Sequence, residues 1–406
     1  MIYRSKILRL VCFVVVLIVL PASAAAENGD YAFVGATVYP SPSATPLHDA
    51  VVLTSGGAIV AVGKRGEVKI PKSAKVIDCL GKTIVAGFWN SHIHLIEEVW
   101  NDAANAPAAK LEQHMQDMLT RWGFTTVWDL GSTPQNSIAL RRRVESGEIP
   151  GPRIFLAGSI FPEHGHPVYL PAELQLPEAS TPAQAVQMAR GYLDLGLDGI
   201  KLFTGVFMGD KPVINMDTSI VKAAVGIAHA DGKPVFTHPQ NRAGVDNALD
   251  GGVDILAHTV PTEPNYTAEE LSRFKVHHTG LIPTLTLWTT VVSDPVVTKQ
   301  LVQSGVDELK TFHDNGGAIL FGTDIGFISH FDTSLEFELM GRALPWTEVL
   351  ASLTTNPSTY FAAKKGRVEK GFAADLVILD ADPAADVRNL AKVAYTLRAG
   401  KIIYHK

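Results

Sequence analysis

The sequence predicts an α/β protein, a (β/α)8 barrel with a small β-sandwich domain built from both chain ends. Two β-rich ends flank a middle in which strand-like and helix-like segments alternate. The polar residues of that middle collect where its apolar runs stop. With 406 residues, 46% hydrophobic and 19% charged, the chain is long enough for one large domain and a smaller one.

The N-terminal segment stands apart. Arg4, Lys6 and Arg9 precede the apolar run "LVCFVVVLIVL", and the small-residue stretch "PASAAAENG" follows. This is the layout of a secretory signal peptide, expected over residues 1–26. The apolar run is short for a membrane span, which needs about 20 residues. The expected product is exported, periplasmic or secreted, with no stable membrane insertion after cleavage. Its one remaining cysteine, Cys79, excludes an intramolecular disulfide and reads as core. A net charge of −6 without a basic stripe argues against a nucleic-acid partner. A small-molecule substrate is expected, and homo-oligomerisation stays open.

"YAFVGATVYP", "AVVLTSGGAIVAVG" and "AKVIDCLGKTI" at one end, and "GFAADLVILDAD" and "VAYTLRAGKIIYHK" at the other, are valine-, isoleucine- and glycine-rich strand patterns. They place the sandwich at residues 27–86 and 360–406, with the barrel at 87–359. In the barrel region "TIVAGFWNSH", "GFTTVWDLG", "PRIFLAGS", "DGIKLFTG", "KPVFTHP", "DILAHTV", "GLIPTLTL" and "GAILFGTDIG" read as eight strands. Helical patterns such as "AAKLEQHMQDMLTRW", with a stripe through Leu111, Met115, Met118, Leu119 and Trp122, separate them. Alternation of this kind implies parallel strands, and eight units imply a barrel whose site lies at the C-terminal strand ends.

His92 and His94 end the first run, one residue apart and so on one face of a strand. Asp129 ends the second run, Lys201 lies in the fourth, His238 ends the fifth, His258 the sixth and Asp324 the eighth. Histidines scattered at random would fall as often on helices. His92, His94, Lys201, His238, His258 and Asp324 are therefore metal-ligand candidates, with Asp324 also the base. Asp129, before Gly131 and Ser132, reads as a loop anchor. An ammonium has no lone pair and is repelled by cations. A neutral Lys201 amine that takes up CO2 would become a carbamate, an anion able to bridge two metals about 3.5–4 Å apart. "EHGHP", with His164 and His166, follows the third strand and is either a substrate contact or a solvated loop.

These motifs resemble the amidohydrolase superfamily, in its imidazolonepropionase-like and Xaa-Pro-dipeptidase-like branch. "IVAGFWNSHIHL", "GFTTVWDLG", "DGIKLF", "VFTHPQ", "GVDILAHTVP", "LFGTDIG", "TTNPSTYF" and "KGFAADLVILDADP" carry the resemblance, which covers about residue 30 to 406. It implies two divalent metal ions, with zinc expected. His92, His94 and Asp324 would hold one, His238 and His258 the other, and carboxylated Lys201 would bridge them. It implies hydrolysis of an amide or peptide C–N bond in a dipeptide or N-acyl amino acid, with Asp324 moving the proton.

The chain departs from those relatives at Gln240, where a tyrosine often stands, and at "FTGVF", where they run "ATGG". Gln240 and Arg242 are expected to meet substrate, Arg242 through a carboxylate. A lactonase, a cyclic-amide hydrolase or a deaminase would use the same ligands, and a non-catalytic binding protein is a more distant alternative.

Overall fold

The computed structural model describes residues 30–173 and 175–406. The expected signal peptide lies outside the described residues. Eight parallel strands follow one another in chain order around the sheet: β1 (Phe88–Ile93), β2 (Phe124–Asp129), β3 (Arg153–Pro162), β4 (Gly199–Phe203), β5 (Val235–His238), β6 (Ile255–Ala257), β7 (Gly280–Ile282) and β8 (Ala318–Ile319). Every residue of β1 and β2 is buried, as a parallel sheet covered by helices requires. Closure comes from the segment after β8. Ser91 N donates to Phe321 O at 2.7 Å, Asp324 N to His92 O at 2.9 Å and His94 N to Ile325 O at 2.8 Å. The eighth strand is thus shorter than its apolar run, and irregular backbone continues its pairing with β1.

The connecting helices begin and end on local signals. Pro182–Asp194 opens with a capping box, Thr181 and Gln184 each satisfying the other's backbone N–H. Ala108–Met118 buries Leu111, Met115 and Met118. The expected run to Trp122 breaks after Met118 into a tighter turn, Thr120–Trp122, which ends on Gly123 in left-handed conformation. The Thr120 carbonyl accepts both from Gly123 N at 3.2 Å, closing that turn, and from Thr396 Oγ1 at 2.7 Å, a contact with the flanking sheet.

Both chain ends build that flanking sheet. Thr83–Ala86 pairs antiparallel with Leu376–Leu379, beside Tyr31–Val38, Leu47–Ser55 and Ala58–Lys64 on one side and Val393–Arg398 and Lys401–His405 on the other. Alternate residues bury on opposite faces. Phe33, Val52 and Ile84 enter one apolar cluster together with Cys79, and Val34, Val51 and Leu53 enter another. Val85 and Val377 belong to the core of the barrel and its helices, which fixes the two parts together. Inside the barrel Trp128, Phe236, Ala257, Ile282 and Leu320 form an apolar plug. Phe236 lies two residues before His238 and so on the same strand face. Among the described residues no helix is long and apolar enough to cross a membrane.

Candidate active site

Six polar side chains meet above the plug. His92 Nε2 and His94 Nε2 are 3.2 Å apart, and Asp324 Oδ1 lies 3.1 Å from each. A ligand atom of His258 lies within 4.8 Å of those of His92 and Asp324. The ring of His258 sits 4.7 Å from that of His92 and 4.8 Å from that of His238, centre to centre. Lys201 occupies the middle of β4 rather than its end. Its amine is fully buried and lies 5.5 Å from the centre of the Phe203 ring.

The backbone works hard to bring these groups together. His258, Asp324, Gln240 and Thr284 all adopt positive φ, at 114°, 61°, 56° and 44°. Such conformations cost about 1–3 kcal/mol each and persist only where the surroundings enforce them. Gly326 shows the same crowding. A Cβ there would meet His94 O at 1.8 Å, so only glycine lets the segment after Asp324 pass under His94.

Burial dominates the electrostatics. It holds His92 and His258 well below the usual imidazole range and His238 down to about 4, each helped by the positive charges around it. These three imidazoles are therefore neutral, with lone pairs available. Burial also pushes the Lys201 amine down to about 7, against the field of Asp324, which favours the ammonium. Its neutral, nucleophilic form is accessible near neutral pH.

The donor set fits a divalent metal. Three lone-pair-bearing atoms 3.1–3.2 Å from one another lie just inside the ~3.3–3.6 Å separation of ligand atoms around a tetrahedral zinc with bonds of ~2.0–2.2 Å. Asp324 Oδ1 is buried with no hydrogen-bond donor, although two imidazole nitrogens stand 3.1 Å away. That is an approach of ligands to a common point rather than a hydrogen bond.

Asp129 is indeed an anchor. Its Oδ1 accepts from Ser132 Oγ at 2.5 Å and its Oδ2 from Ser137 Oγ at 2.7 Å, and Ser132 Oγ in turn accepts from Leu95 N at 2.7 Å. Asp129 thereby fixes the loop that carries His94. Two of the residues expected at the substrate bind groups of the protein itself. Gln240 turns to His238, with Oε1 3.0 Å from Nε2. Arg242 packs against the segment 264–270 that follows β6. It pairs with Glu270 at 3.1 Å, stacks 5.0 Å from the centre of Tyr266 and donates to Pro264 O. That guanidinium is held by a carboxylate of the protein itself.

His164 follows β3 in left-handed conformation, its N–H on Glu178 at 2.9 Å and its side chain exposed. His166 turns Nδ1 to Pro167 O at 3.2 Å. Two supporting residues had no signature in the sequence. Thr284 Oγ1 lies 2.6 Å from His258 Nδ1, and Glu336 accepts from Leu285 N at 2.8 Å and Thr286 N at 2.6 Å.

Residues 83–403 match the amidohydrolase family, and the chain belongs to it. A Bifidobacterium longum protein named as a prolidase is similar in structure, at 26% identity and TM-score 0.80, over 93% of this chain and 95% of that one. A Xaa-Pro dipeptidase with methionine bound in its active site shares the fold at 22% identity and TM-score 0.79, over 93% and 100% of the two chains. Molinate hydrolase shares it at 19% identity and TM-score 0.76, over 93% and 95%. No curated protein matches the sequence.

Proposed function

We propose that this chain is an exported, metal-dependent amidohydrolase that cleaves the C–N bond of a dipeptide or N-acyl amino acid. The observation that carries the reading is the convergence of His92, His94 and Asp324 on one point, beside the paired rings of His238 and His258. The prolidase and dipeptidase names of similar structures support the substrate class. The signal-peptide pattern of residues 1–26 supports export.

His92, His94 and Asp324 would hold one divalent ion and His238 and His258 a second. Zinc suits imidazole and carboxylate donors. Such ions supply Lewis acidity and water acidified towards neutral pH. Lys201, buried among these groups, would take up CO2 through its neutral amine. The nitrogen lone pair would form the new N–C bond, one C–O π pair would move to oxygen, and the amine proton would pass to water, leaving a carbamate whose oxygens would be anionic donors for the ions. Asp324 would accept a proton from the attacking water and return it to the leaving nitrogen, so that amide and water become acid and amine.

The rim favours an apolar substrate group. Ile96, Tyr169, Phe207 and Phe327 remain 37–44% exposed. Ile96 follows His94, Phe207 follows β4 and Phe327 follows Asp324. The loop after β3 joins them, through Tyr169 against Phe327 at 5.2 Å between centres and Val168 N on Phe207 O at 3.4 Å. A panel of dipeptides, N-acyl amino acids, lactones, cyclic amides and aminated rings tests the reading. Turnover is expected on amides with large apolar side chains and little on charged ones. Turnover confined to lactones, or release of ammonia alone, would overturn it.

A further inference from the structure

The two imidazoles assigned above to the second ion are tied down through their outer nitrogens, and in opposite senses. An amide oxygen only accepts, so the 3.0 Å contact between Gln240 Oε1 and His238 Nε2 requires the proton on Nε2. Thr284 Oγ1 has a single hydrogen, and it donates that to Pro283 O at 2.9 Å. With that hydrogen on Pro283 O, the 2.6 Å contact with His258 Nδ1 places the ring proton on Nδ1. Each ring is left with its lone pair on the other nitrogen.

Both partners sit where the backbone resists them. Gln240 and the β-branched Thr284 have φ of 56° and 44°, conformations that such residues adopt only under constraint. The constraint on Thr284 is visible. The buried carboxylate of Glu336, on the helix Ser334–Ala343, accepts from the next two backbone N–H groups, Leu285 and Thr286. Its two oxygens cap the short helix Leu285–Thr289 and hold the preceding residue in place.

We propose that Gln240 and Thr284, the latter held by Glu336, are positioning residues that lock opposite tautomers, so that His238 presents Nδ1 and His258 presents Nε2 to a shared divalent cation. This accounts for the glutamine where dipeptidase-like relatives often carry a tyrosine. Here the position serves a ligand rather than the substrate. Hydrogen bonds to the outer nitrogen of a metal-binding imidazole fix both its tautomer and its orientation. The inference rests on the metal reading above.

The test has two readouts. Long-range proton–nitrogen NMR of the imidazoles, on metal-free protein near neutral pH, reports each tautomer without metal or activity. Competition of zinc with a chelating indicator reports the two sites separately. The wild type should show His238 protonated at Nε2 and His258 at Nδ1. Thr284→Val and Gln240→Met should each mix the tautomers of their own histidine and weaken the second zinc by about 10–100-fold, leaving the first within about threefold. Thr284→Ser and Gln240→Glu, which keep an acceptor, should restore both readouts. Glu336→Gln, which sets an NH2 against one of the two N–H groups, should act on His258 alone.

Opposite or mixed tautomers in the wild type would overturn the proposal. So would equal weakening of both zinc sites in step with a lowered melting temperature, or failure of the conservative variants to restore binding. Correct tautomers in a protein that binds no zinc would overturn the metal reading instead, and with it the role of these residues towards a cation.

Discussion

The two halves of the site are built by different means. His92, His94 and Asp324 are positioned by backbone. Asp324 N lies on His92 O, His94 N on Ile325 O, and Gly326 slides beneath His94 with no room for a side chain. His238 and His258 end their strands facing each other and are held by the side chains of Gln240 and Thr284. A half fixed by register changes only when the backbone changes. A half fixed by side chains can be tuned by single substitutions, and this is where a family with many substrates has room to vary.

The largest effect expected is at Asp324. Asp324→Asn keeps the shape but loses the proton acceptor, and turnover on the identified substrate should fall by about 10²–10⁴. The melting temperature should stay close to that of the wild type. Full activity in the variant would remove Asp324 from its role. Gly326→Ala tests the backbone-built half directly. Its added methyl must displace the His94 carbonyl, and destabilisation of about 3 kcal/mol, with loss of the first metal before the second, is expected in a denaturant titration. Unchanged stability would mean that the segment is looser than described.

Lys201→Met sharpens the comparison from between the halves. In metal-free protein it removes a buried amine and should stabilise by about 1–4 kcal/mol, read as a raised melting temperature. A lowered one would mean that the amine makes a favourable contact.

A smaller and pH-dependent effect belongs to Glu308, which accepts from Val260 N at 2.7 Å just beyond His258. Burial pushes its carboxyl up to about 7. Between pH ~4.5 and ~7 the folded state keeps a proton that the unfolded chain has released, so this group's stabilisation is lost as pH rises through that window. Glu308→Gln has no such loss. Its stability relative to the wild type should rise by about 2–3 kcal/mol from pH 4.5 to pH 7. A difference independent of pH would contradict the assignment.

Much of this was legible in the sequence. The barrel showed because parallel strands buried on both faces read as apolar runs, and the ligands showed because chemistry sits where those runs end. Asp129 was readable as an anchor from the glycine and serine that follow it. Arg242 and Gln240 were not readable, because a residue two or four positions after a histidine can face substrate, protein or ligand alike. The choice was made by a carboxylate 28 positions away for Arg242, Glu270, and by a left-handed backbone for Gln240. Thr284 and Glu336 carried no spacing at all, since 52 residues separate them and only the closure of the barrel brings them to the same turn. The short eighth strand was hidden too, its pairing continued by irregular backbone.

The first measurement to make is metal content per chain, on protein purified without chelators and with bicarbonate supplied, beside Lys201→Ala. Two divalent ions are expected in the wild type, with a clear loss in the variant. One ion in both would contradict the two-ion reading. Lys201 would then be structural, and a mononuclear enzyme acting on cyclic amides or removing an amino group would take its place.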